Sequence, residues 1–268
     1  ICKSIDRLRI ISKERIRDEF VKTIIEPNAS YAINILRTSG LLNEFIPELA
    51  ACYGITQNGY HKHDVWTHSL LTMEYISTGA GILLRLAALL HDIGKPQTRT
   101  VDRNGLIHFY GHQSIGAQMA KSLLKRLKFS NNDIEGITFL INMHMRIGEY
   151  DEKWSNAAVR RLLRDSGDRF DDLLALVEAD IKATGWTGPG VDLNGLRDRI
   201  KSLDAVENRN YYCPLNGHEL MRITNLPPGI KLGKLKDYIS SEVIEGNIPS
   251  GNKDAAKAAA IEWMKEHS

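Results

Sequence analysis

The sequence predicts an all-α protein, and three observations support this. Apolar residues recur at helical spacing along most of the 268-residue chain, whereas no convincing run alternates apolar and polar residues as a strand does. Hydrophobic residues make up 43% of the chain, which is enough for a buried core in one large domain or two small ones. The longest apolar stretch, near residues 81–90, is interrupted by Arg85 and is too short to cross a membrane.

The N-terminal part is expected to hold helices of unequal length. A charged amphipathic helix over residues 5–25 should end before Pro27, and a short helix from about Ser30 should end near Gly40. Residues 47–61 contain Gly and Asn and predict a less regular segment. Helical periodicity then returns in six segments, at 63–77, 82–92, 112–128, 131–146, 156–164 and 169–183.

A glycine-rich segment at residues 184–190 predicts a loop and a candidate domain boundary. Beyond it, the periodicity indicates helices near 191–206, 232–245 and 254–265. Between the first two of these helices, the Pro and Gly residues of segment 214–229 predict a turn.

Charge and cysteine content exclude several classes of protein. The chain carries 35 Lys and Arg against 33 Asp and Glu, so its net charge of +2 gives no strong signal for nucleic-acid binding. Its three cysteines are far apart and form no C-x-x-C motif, which argues against a disulfide framework and a cysteine zinc site. The N-terminal residues lack the apolar segment of a signal peptide, so we expect a cytoplasmic protein.

Six ionisable or coordinating side chains fall on or beside the apolar stripes of the predicted helices. His91 follows Leu84, Ala87 and Ala88 at helical spacing, and Asp92 is next to it. The same spacing places four more such side chains on the apolar faces of four other helices: His68, His112, His144 and Asp180. We therefore expect five helices to direct these groups toward one interior.

The convergence of these groups favours a metal centre. A single His on an apolar stripe is usually a hydrogen-bonded core residue, and each of the four could be explained that way. A buried carboxylate is harder to explain, because it costs several kcal/mol unless a cation, a strong donor or a metal ion compensates it. Imidazole and carboxylate together suit transition metals, and a carboxylate can bridge two ions.

A second layer of charged residues accompanies the candidate ligands. The segment 91–96 predicts a helix end, with Gly94 as the stop. Lys95 is then expected at the mouth of the site, where its ammonium group could hold a phosphate oxygen. A cation at a solvated helix end explains Lys95 equally well.

Two further charged residues are candidates for this layer. Arg146, two residues beyond His144, could hold a phosphate with its guanidinium group or simply be solvated at a helix end. Asp64 lies one helical turn before His68 and could orient an imidazole or cap the helix. The candidate catalytic residues are thus Asp92, Lys95, Arg146 and Asp64, while three loop histidines are weaker candidates for the site: His61, His63 and His108.

These residues resemble a known signature. The H…HD…D pattern of the HD phosphohydrolase superfamily is matched by His68, His91, Asp92 and Asp180. Two further histidines of the two-metal members of that superfamily are matched by His112 and His144. The resemblance implies an all-α HD-domain helical bundle with a metal centre.

The similarity is closer to one branch, the bacterial tRNA nucleotidyltransferases (CCA-adding enzymes) that carry an HD domain. It rests on QNGYH at 57–61, DVWTH at 64–68, LLHDIGKP at 89–96 and FYGH at 109–112. It covers nearly the whole chain and implies an N-terminal helical neck segment over 1–60, an HD domain over 61–184 and a C-terminal helical tail over 185–268. The N-terminal head of that family, with its Gly-Gly…Arg-Asp loop, has no counterpart in the sequence, so nucleotide addition is not implied.

The resemblance implies hydrolysis of phosphodiesters, 2′,3′-cyclic nucleotides or phosphomonoesters by metal-activated water. The cofactors implied are one or two divalent transition-metal ions (Mn, Ni, Co, Fe or Zn). One ion would be held by His68, His91, Asp92 and Asp180, and a second by Asp92, His112 and His144. The expected partner is a small phosphoester or nucleotide substrate, with RNA as a second candidate and no membrane.

Two alternatives compete with hydrolysis. The chain could be an RNA-binding module derived from the nucleotidyltransferases, with a vestigial HD site; the complete set of ligands argues against such decay. It could instead be a di-iron oxygenase, as some HD proteins are, and turnover that depends on oxygen would then identify it.

Overall fold

A computed structural model of the chain describes residue 8 and residues 10–59, 61–188, 190–207 and 211–267. Within them the protein is helical apart from one antiparallel pair of short strands, which confirms the predicted all-α class. None of the described helices is both long and apolar enough to span a membrane. The predicted helix start at 5–7, Tyr60 of the QNGYH segment and Pro189 of the 184–190 loop lie outside the described residues.

The predicted helices occur in the predicted order, but four further helices and the two strands were not predicted. Up to residue 148 they are α1 (Lys13–Ile25), α2 (Ala29–Thr38), α3 (Leu41–Phe45), α4 (Pro47–Ala50), α5 (Val65–Tyr75), α6 (Ile82–Leu90), α7 (Lys95–Thr98), β1 (Thr100–Val101), β2 (Ile107–His108), α8 (His112–Arg126) and α9 (Asn131–Gly148). The others are α10 (Asn156–Ser166), α11 (Phe170–Thr184), α12 (Leu193–Glu207), α13 (Gly217–Thr224), α14 (Ile230–Glu245) and α15 (Lys253–Glu266).

The chain forms two compact units. The first comprises Ile1–Glu149 and Arg169–Gly190, and the second comprises Tyr150–Asp168 and Val191–Ser268. The second unit thus includes α10, which precedes the last helix of the first unit in sequence. The division into segments 1–60, 61–184 and 185–268 stays a prediction.

Short polar side chains set the starts of two helices that carry candidate ligands. Asp64 caps α5 by accepting a hydrogen bond from the amide of Thr67 at 2.8 Å. Ser130 caps α9 in the same way, accepting from the amide of Asp133 at 3.2 Å. These caps explain why the predicted starts of both helices lie close to the observed ones.

The core of the first unit is formed by α5, α6, α9 and α11, which pack against one another, while α8 packs along α9. α6 is buried from Leu84 to Leu90, so its C-terminal end lies inside the unit. Buried Arg85 secures this helix by donating hydrogen bonds to two carbonyls, those of Ile24 at 2.7 Å and Ile76 at 2.6 Å. The residues that follow α6 therefore begin in the core.

Gly94 has a different role from the predicted helix stop. Its backbone is right-handed helical (φ −77°), and α7 begins at the next residue with Pro96 in its first turn. A Cβ atom at Gly94 would lie 2.2 Å from the carbonyl oxygen of His112 and 2.7 Å from the amide nitrogen of Gly116. Glycine is required here because the backbone of this turn touches the backbone of the first turn of α8.

The second unit has its own apolar core, built by residues of α13, α14 and α15 such as Leu220, Ile239 and Trp263. The predicted turn over 214–229 was wrong in part, because α13 lies within it. The start of α13 carries a capping box, in which Asn216 and Glu219 each accept a hydrogen bond from the other's backbone amide. That pattern was present in the sequence and indicates a helix start.

We predict that Gly94→Ala destabilises the protein by at least about 1–3 kcal/mol, because the added methyl group would push apart two backbones that cannot move independently. Urea denaturation followed by circular dichroism measures the change. Gly148→Ala is the matched control, since a Cβ atom there meets nothing within 4 Å. Equal midpoints for Gly94→Ala and the unmodified protein would show that the close approach is not needed.

Candidate metal centre

Five elements of the first unit bring the six predicted ligands together. His68 lies within α5, and His91 and Asp92 directly follow α6. The remaining three are His112, the first residue of α8, His144 in α9 and Asp180 in α11. All are buried except Asp180, whose side chain is 20% exposed. The six predicted ligands therefore lie together in the interior of the first unit.

Four of these side chains form a first group, through atoms that can each offer a lone pair. His68 Nε2 lies 2.9 Å from Asp180 Oδ1 and 3.2 Å from His91 Nε2. His91 Nε2 in turn lies 3.2 Å from Asp92 Oδ2. The Nε2 atoms of His68 and His91 thus each lie within 3.6 Å of an oxygen of Asp92 and an oxygen of Asp180.

A second group lies on the other side of Asp92. Its Oδ1 atom is 3.3 Å from His112 Nε2, which is 3.3 Å from His144 Nε2. The two oxygens of Asp92 therefore face different groups, so that this carboxylate is shared between them. Both triads, His68–His91–Asp92 and Asp92–His112–His144, are compact enough to hold a metal ion.

The separations between ligand atoms match those around a transition-metal ion. Bonds of about 2.0–2.2 Å from nitrogen or oxygen place neighbouring ligands of one ion about 3.0–3.5 Å apart. The contacts between His68, His91, Asp92 and Asp180 fall close to that range. Both groups fit a divalent cation in distance and in chemical type.

Backbone carbonyls fix the protonation of three of the four imidazoles. The Nδ1 atoms of His91, His112 and His144 donate to the carbonyls of Ala88 (2.8 Å), Phe109 (2.8 Å) and Ile141 (2.7 Å). Since a carbonyl can only accept, Nδ1 carries a proton in each ring. In the neutral rings the lone pair is then on Nε2, which is the atom that faces the centre, as in metal-binding histidines.

The carboxylates of the centre are held in their charged form. Burial alone would raise the pKa of Asp92, but the charges of His91 and Lys95 outweigh it and keep the pKa well below its usual value. The pKa of Asp180 is lowered against burial in the same way, by His91 and by a hydrogen bond with His68. Asp92 Oδ2 also lies 2.6 Å from Lys95 Nζ, and this ion pair compensates part of the buried negative charge.

The histidines respond to this charge in opposite directions. Burial lowers the pKa of His91, but Asp92 and Asp180 outweigh it and raise the pKa to about 10. The pKa of His144 falls to about 4, because burial and the charge of His91 both disfavour its protonation. The pKa of His112 is also lowered, chiefly by burial. The imidazoles of His112 and His144 in the second group are therefore neutral at neutral pH. In the first group, a metal ion would have to displace the proton of His91.

Lys95 is part of the centre. Its Nζ atom lies 2.6 Å from Asp92 Oδ2 and donates to Gln57 Oε1 at 2.6 Å. Only 6% of the residue is exposed. The sequence predicted Lys95 at the mouth of the site, whereas the structure buries it beside Asp92. Gln57, its other partner, belongs to the QNGYH segment and lies 38 residues away along the chain.

A cavity of about 510 Å³ opens onto these residues within the first unit. Asp92, Lys95 and Asp180 line it together with His112 and His144. Its other walls come from the segment between β2 and α8, from α9 and from a loop; they include Ile107, His108, Phe109, Tyr110, Met145, Glu149 and His61. Four of the six candidate ligands therefore face a cavity that a small molecule could enter, whereas His68 and His91 lie behind them.

His61 was a weaker candidate in the sequence, and the structure places it at the centre. Its ring packs edge-on against that of His68, with 4.9 Å between centroids. Burial, and then the charge of Lys95, lower its pKa to about 4. A loop position carries no helical periodicity, so the only signal for His61 in the sequence was its place in the QNGYH segment.

Asp64 and Arg146 lie differently from the other candidates. Asp64 caps α5 and also accepts a hydrogen bond from the amide of Gly54 at 2.7 Å, so both of its oxygens serve the backbone. This is the capping role that the sequence had left open. Arg146 is half-buried in α9 and is not among the residues that line the cavity. Its role as a phosphate ligand stays a prediction.

Two family models match the chain. A model described as "HD domain" matches residues 65–203, which contain all six candidate ligands. A model described as "Probable RNA and SrmB- binding site of polymerase A" matches residues 1–53. Residues 54–64, just before α5, separate the two matches.

Curated relatives are similar over much of the chain. A CC-adding tRNA nucleotidyltransferase of Thermus thermophilus is 31% identical over 258 residues, which are 94% of this chain and 57% of that protein. An A-adding tRNA nucleotidyltransferase of Deinococcus radiodurans is 32% identical over 97% of this chain and 60% of its own length. A multifunctional CCA protein of Methylobacillus flagellatus is 32% identical over 65% of this chain and 43% of its own. The chain therefore spans little more than half the length of the first two.

We predict that Asp92→Ala abolishes divalent-metal binding, because Asp92 belongs to both ligand groups, whereas His144→Ala affects only the second group. After incubation with Mn²⁺ and dialysis, elemental analysis should find no bound metal in the first variant and partial retention in the second. His218→Ala, at an exposed histidine of α13, is the control. Undiminished metal in a folded Asp92→Ala protein would contradict the assignment.

Proposed function

Because this chain belongs to the HD-domain family, we propose that it is a metal-dependent phosphohydrolase. One observation carries the proposal: two ligand groups share the buried carboxylate of Asp92 beside a cavity of about 510 Å³. Small-molecule sites occupy about 300–1,000 Å³, so the cavity suits a nucleotide-sized molecule. The substrates we propose are phosphodiesters, 2′,3′-cyclic nucleotides and phosphomonoesters.

The residues present fit one or two divalent transition-metal ions. One ion would be held by His68, His91, Asp92 and Asp180, and the other by Asp92, His112 and His144. Such ions, when bound, lower the pKa of water and stabilise negative charge on phosphoryl oxygens. The contribution of the protein is a set of ligands that are already oriented, since backbone carbonyls fix three of the four imidazole rings.

Lys95, next to the ligands, takes a further role in this proposal. Lys95 lines the cavity with an ammonium group that Gln57 and Asp92 orient, so it can hold a phosphoryl oxygen of the substrate. Asp180 is the partly exposed acid of the ligand set and also lines the cavity. Asp64 enters the proposal only as a helix cap, because backbone amides occupy both of its oxygens.

We expect His91→Ala and Asp92→Asn to abolish phosphoester hydrolysis, since each removes a ligand atom from the centre. The assay uses bis(p-nitrophenyl) phosphate, 2′,3′-cyclic AMP and p-nitrophenyl phosphate, each with Mn²⁺, Ni²⁺, Co²⁺, Fe²⁺ or Zn²⁺. His218→Ala should behave like the unmodified protein. Full activity in either ligand variant would refute the proposal, and so would a failure of the unmodified protein to hydrolyse any of these esters.

Lys95→Met should lower kcat/KM by at least about tenfold, because it removes a cation from the place where phosphoryl charge develops. The substitution keeps the length of the side chain, so the bound metal should stay as in the unmodified protein. Lys121→Met is the matched control, since Lys121 is exposed in α8 and does not line the cavity. An unchanged kcat/KM would remove Lys95 from the mechanism.

A second candidate function is RNA binding. It is favoured by the match of residues 1–53 to the RNA-binding family model and by the similarity to tRNA nucleotidyltransferases over most of the chain. Nucleotide addition is not proposed, because the chain spans about 57–60% of those relatives. Tight binding of tRNA by a metal-loaded protein that hydrolyses none of the three esters would favour this candidate over the hydrolase.

A further inference from the structure

The hairpin between α7 and α8 carries a chain of three hydrogen-bonding side chains. Asp102 Oδ2 lies 3.0 Å from His108 Nε2, and the hydroxyl of Tyr110 lies 3.1 Å from His108 Nδ1. The other oxygen of Asp102 accepts from the backbone amides of Asn104 at 2.8 Å and Leu106 at 3.0 Å. The chain of hydrogen bonds is therefore anchored to the turn of the hairpin itself.

The rings of His108 and Tyr110 are also stacked, with planes 8° apart and centroids 5.1 Å apart. His108 thus covers one face of the tyrosine ring and holds its hydroxyl group. Tyr110 is nevertheless 76% exposed, so the opposite face of the ring is open. An exposed tyrosine normally samples several orientations, whereas two contacts restrict this one.

The two rings border the cavity of the metal centre. His108 and Tyr110 line it together with Phe109, while Asp92 and His112 lie at the ligand side. Asp102 does not line the cavity, but it contacts His108, which does. A restricted aromatic ring with one free face therefore stands in the wall of a site for which we propose phosphoester substrates.

We propose that Tyr110 is a specificity-determining residue, whose free face stacks on the base of a nucleotide while the phosphoester of that nucleotide lies at the His–Asp centre. The inference rests on the proposed function and refines it: nucleotides are preferred to phosphoesters that lack a planar group. Every nucleobase has an aromatic face, so stacking selects for a base without selecting which base. Fixing the ring in advance lowers the conformational entropy lost on binding.

The hydrogen-bond pattern favours stacking over proton donation by Tyr110. The carboxylate of Asp102 only accepts, so the proton of His108 is on Nε2. In the neutral ring, Nδ1 then accepts the hydroxyl proton of Tyr110, which is committed to that bond. What the tyrosine offers to a ligand in the cavity is its free face.

Steady-state kinetics with two cyclic phosphodiesters tests this. Both adenosine 2′,3′-cyclic monophosphate and glycerol 1,2-cyclic phosphate contain a five-membered cyclic ester, but only the first carries a base. Tyr110→Ala should raise KM for the adenosine ester about tenfold, equivalent to about 1.4 kcal/mol, without changing kcat or the KM of the glycerol ester. Tyr110→Phe should stay closer to the unmodified protein, because it keeps the ring.

Tyr31→Ala is the matched control, since Tyr31 is 71% exposed in α2 and does not line the cavity. Equal effects of Tyr110→Ala on both esters would overturn the inference, as would no effect on either. A fall of kcat for both esters in Tyr110→Phe would overturn it in favour of proton donation.

Calorimetry separates this inference from the hydrolase proposal, because it needs no turnover. Adenosine 3′-monophosphate should bind about tenfold more weakly to Tyr110→Ala than to the unmodified protein, whereas glycerol 2-phosphate should bind equally to both. If the unmodified protein hydrolyses neither ester, the hydrolase proposal fails. Weaker binding of adenosine 3′-monophosphate to Tyr110→Ala, with unchanged binding of glycerol 2-phosphate, would still support the stacking role. Equal or undetectable binding of the adenosine nucleotide to both proteins would overturn the stacking role itself.

Discussion

The burial of one carboxylate constrains the whole first unit. Asp92 is 1% exposed and remains charged, and an uncompensated carboxylate in such a place would cost several kcal/mol. Compensation must come from several directions, because each of its two oxygens faces a different ligand group. The packing of α5, α6, α9 and α11 therefore also compensates the charge of Asp92. The contacts that bury the apolar stripes of these helices bring imidazoles and Lys95 close to its carboxylate.

The ends of helices supply the orientation of the ligands. α6 ends at Leu90, which leaves the last carbonyls of the helix without helical partners, and the ring of His91 uses one of them, that of Ala88. His112 begins α8 and donates to the carbonyl of Phe109, just before the helix. Gly94 lets these two ends meet, because only glycine fits between the turn after α6 and the first turn of α8. His91, Gly94 and His112 thus determine both how these helix ends pack and how the ligands are oriented.

The sequence was sufficient to predict what depends on helical periodicity. His68, His91, His144 and Asp180 could be placed because apolar neighbours at helical spacing show which face of each helix is buried. The same reasoning missed the two strands of the hairpin, since two residues each are too few to show alternation. It also undervalued His61, and it took Gly94 for a helix stop when its role lies in a contact with a distant part of the chain. What could not be predicted is what depends on contacts between segments far apart in sequence.

Metal binding and substrate selection can be carried by different residues of this protein, and the hairpin between α7 and α8 is the candidate for the second. It begins just after α7, which starts with Lys95, and it ends just before α8, which starts with His112, so both of its ends are fixed by residues at the centre. Its own side chains form hydrogen bonds with one another and leave the ligand set untouched. Under the proposed function, the ligands would determine the chemistry at phosphorus, and the hairpin would determine which leaving group is accepted. A substitution of the Tyr110 side chain can then alter the preferred substrate at little cost to ion binding, because the contact that orients His112 from this segment is made by the backbone carbonyl of Phe109.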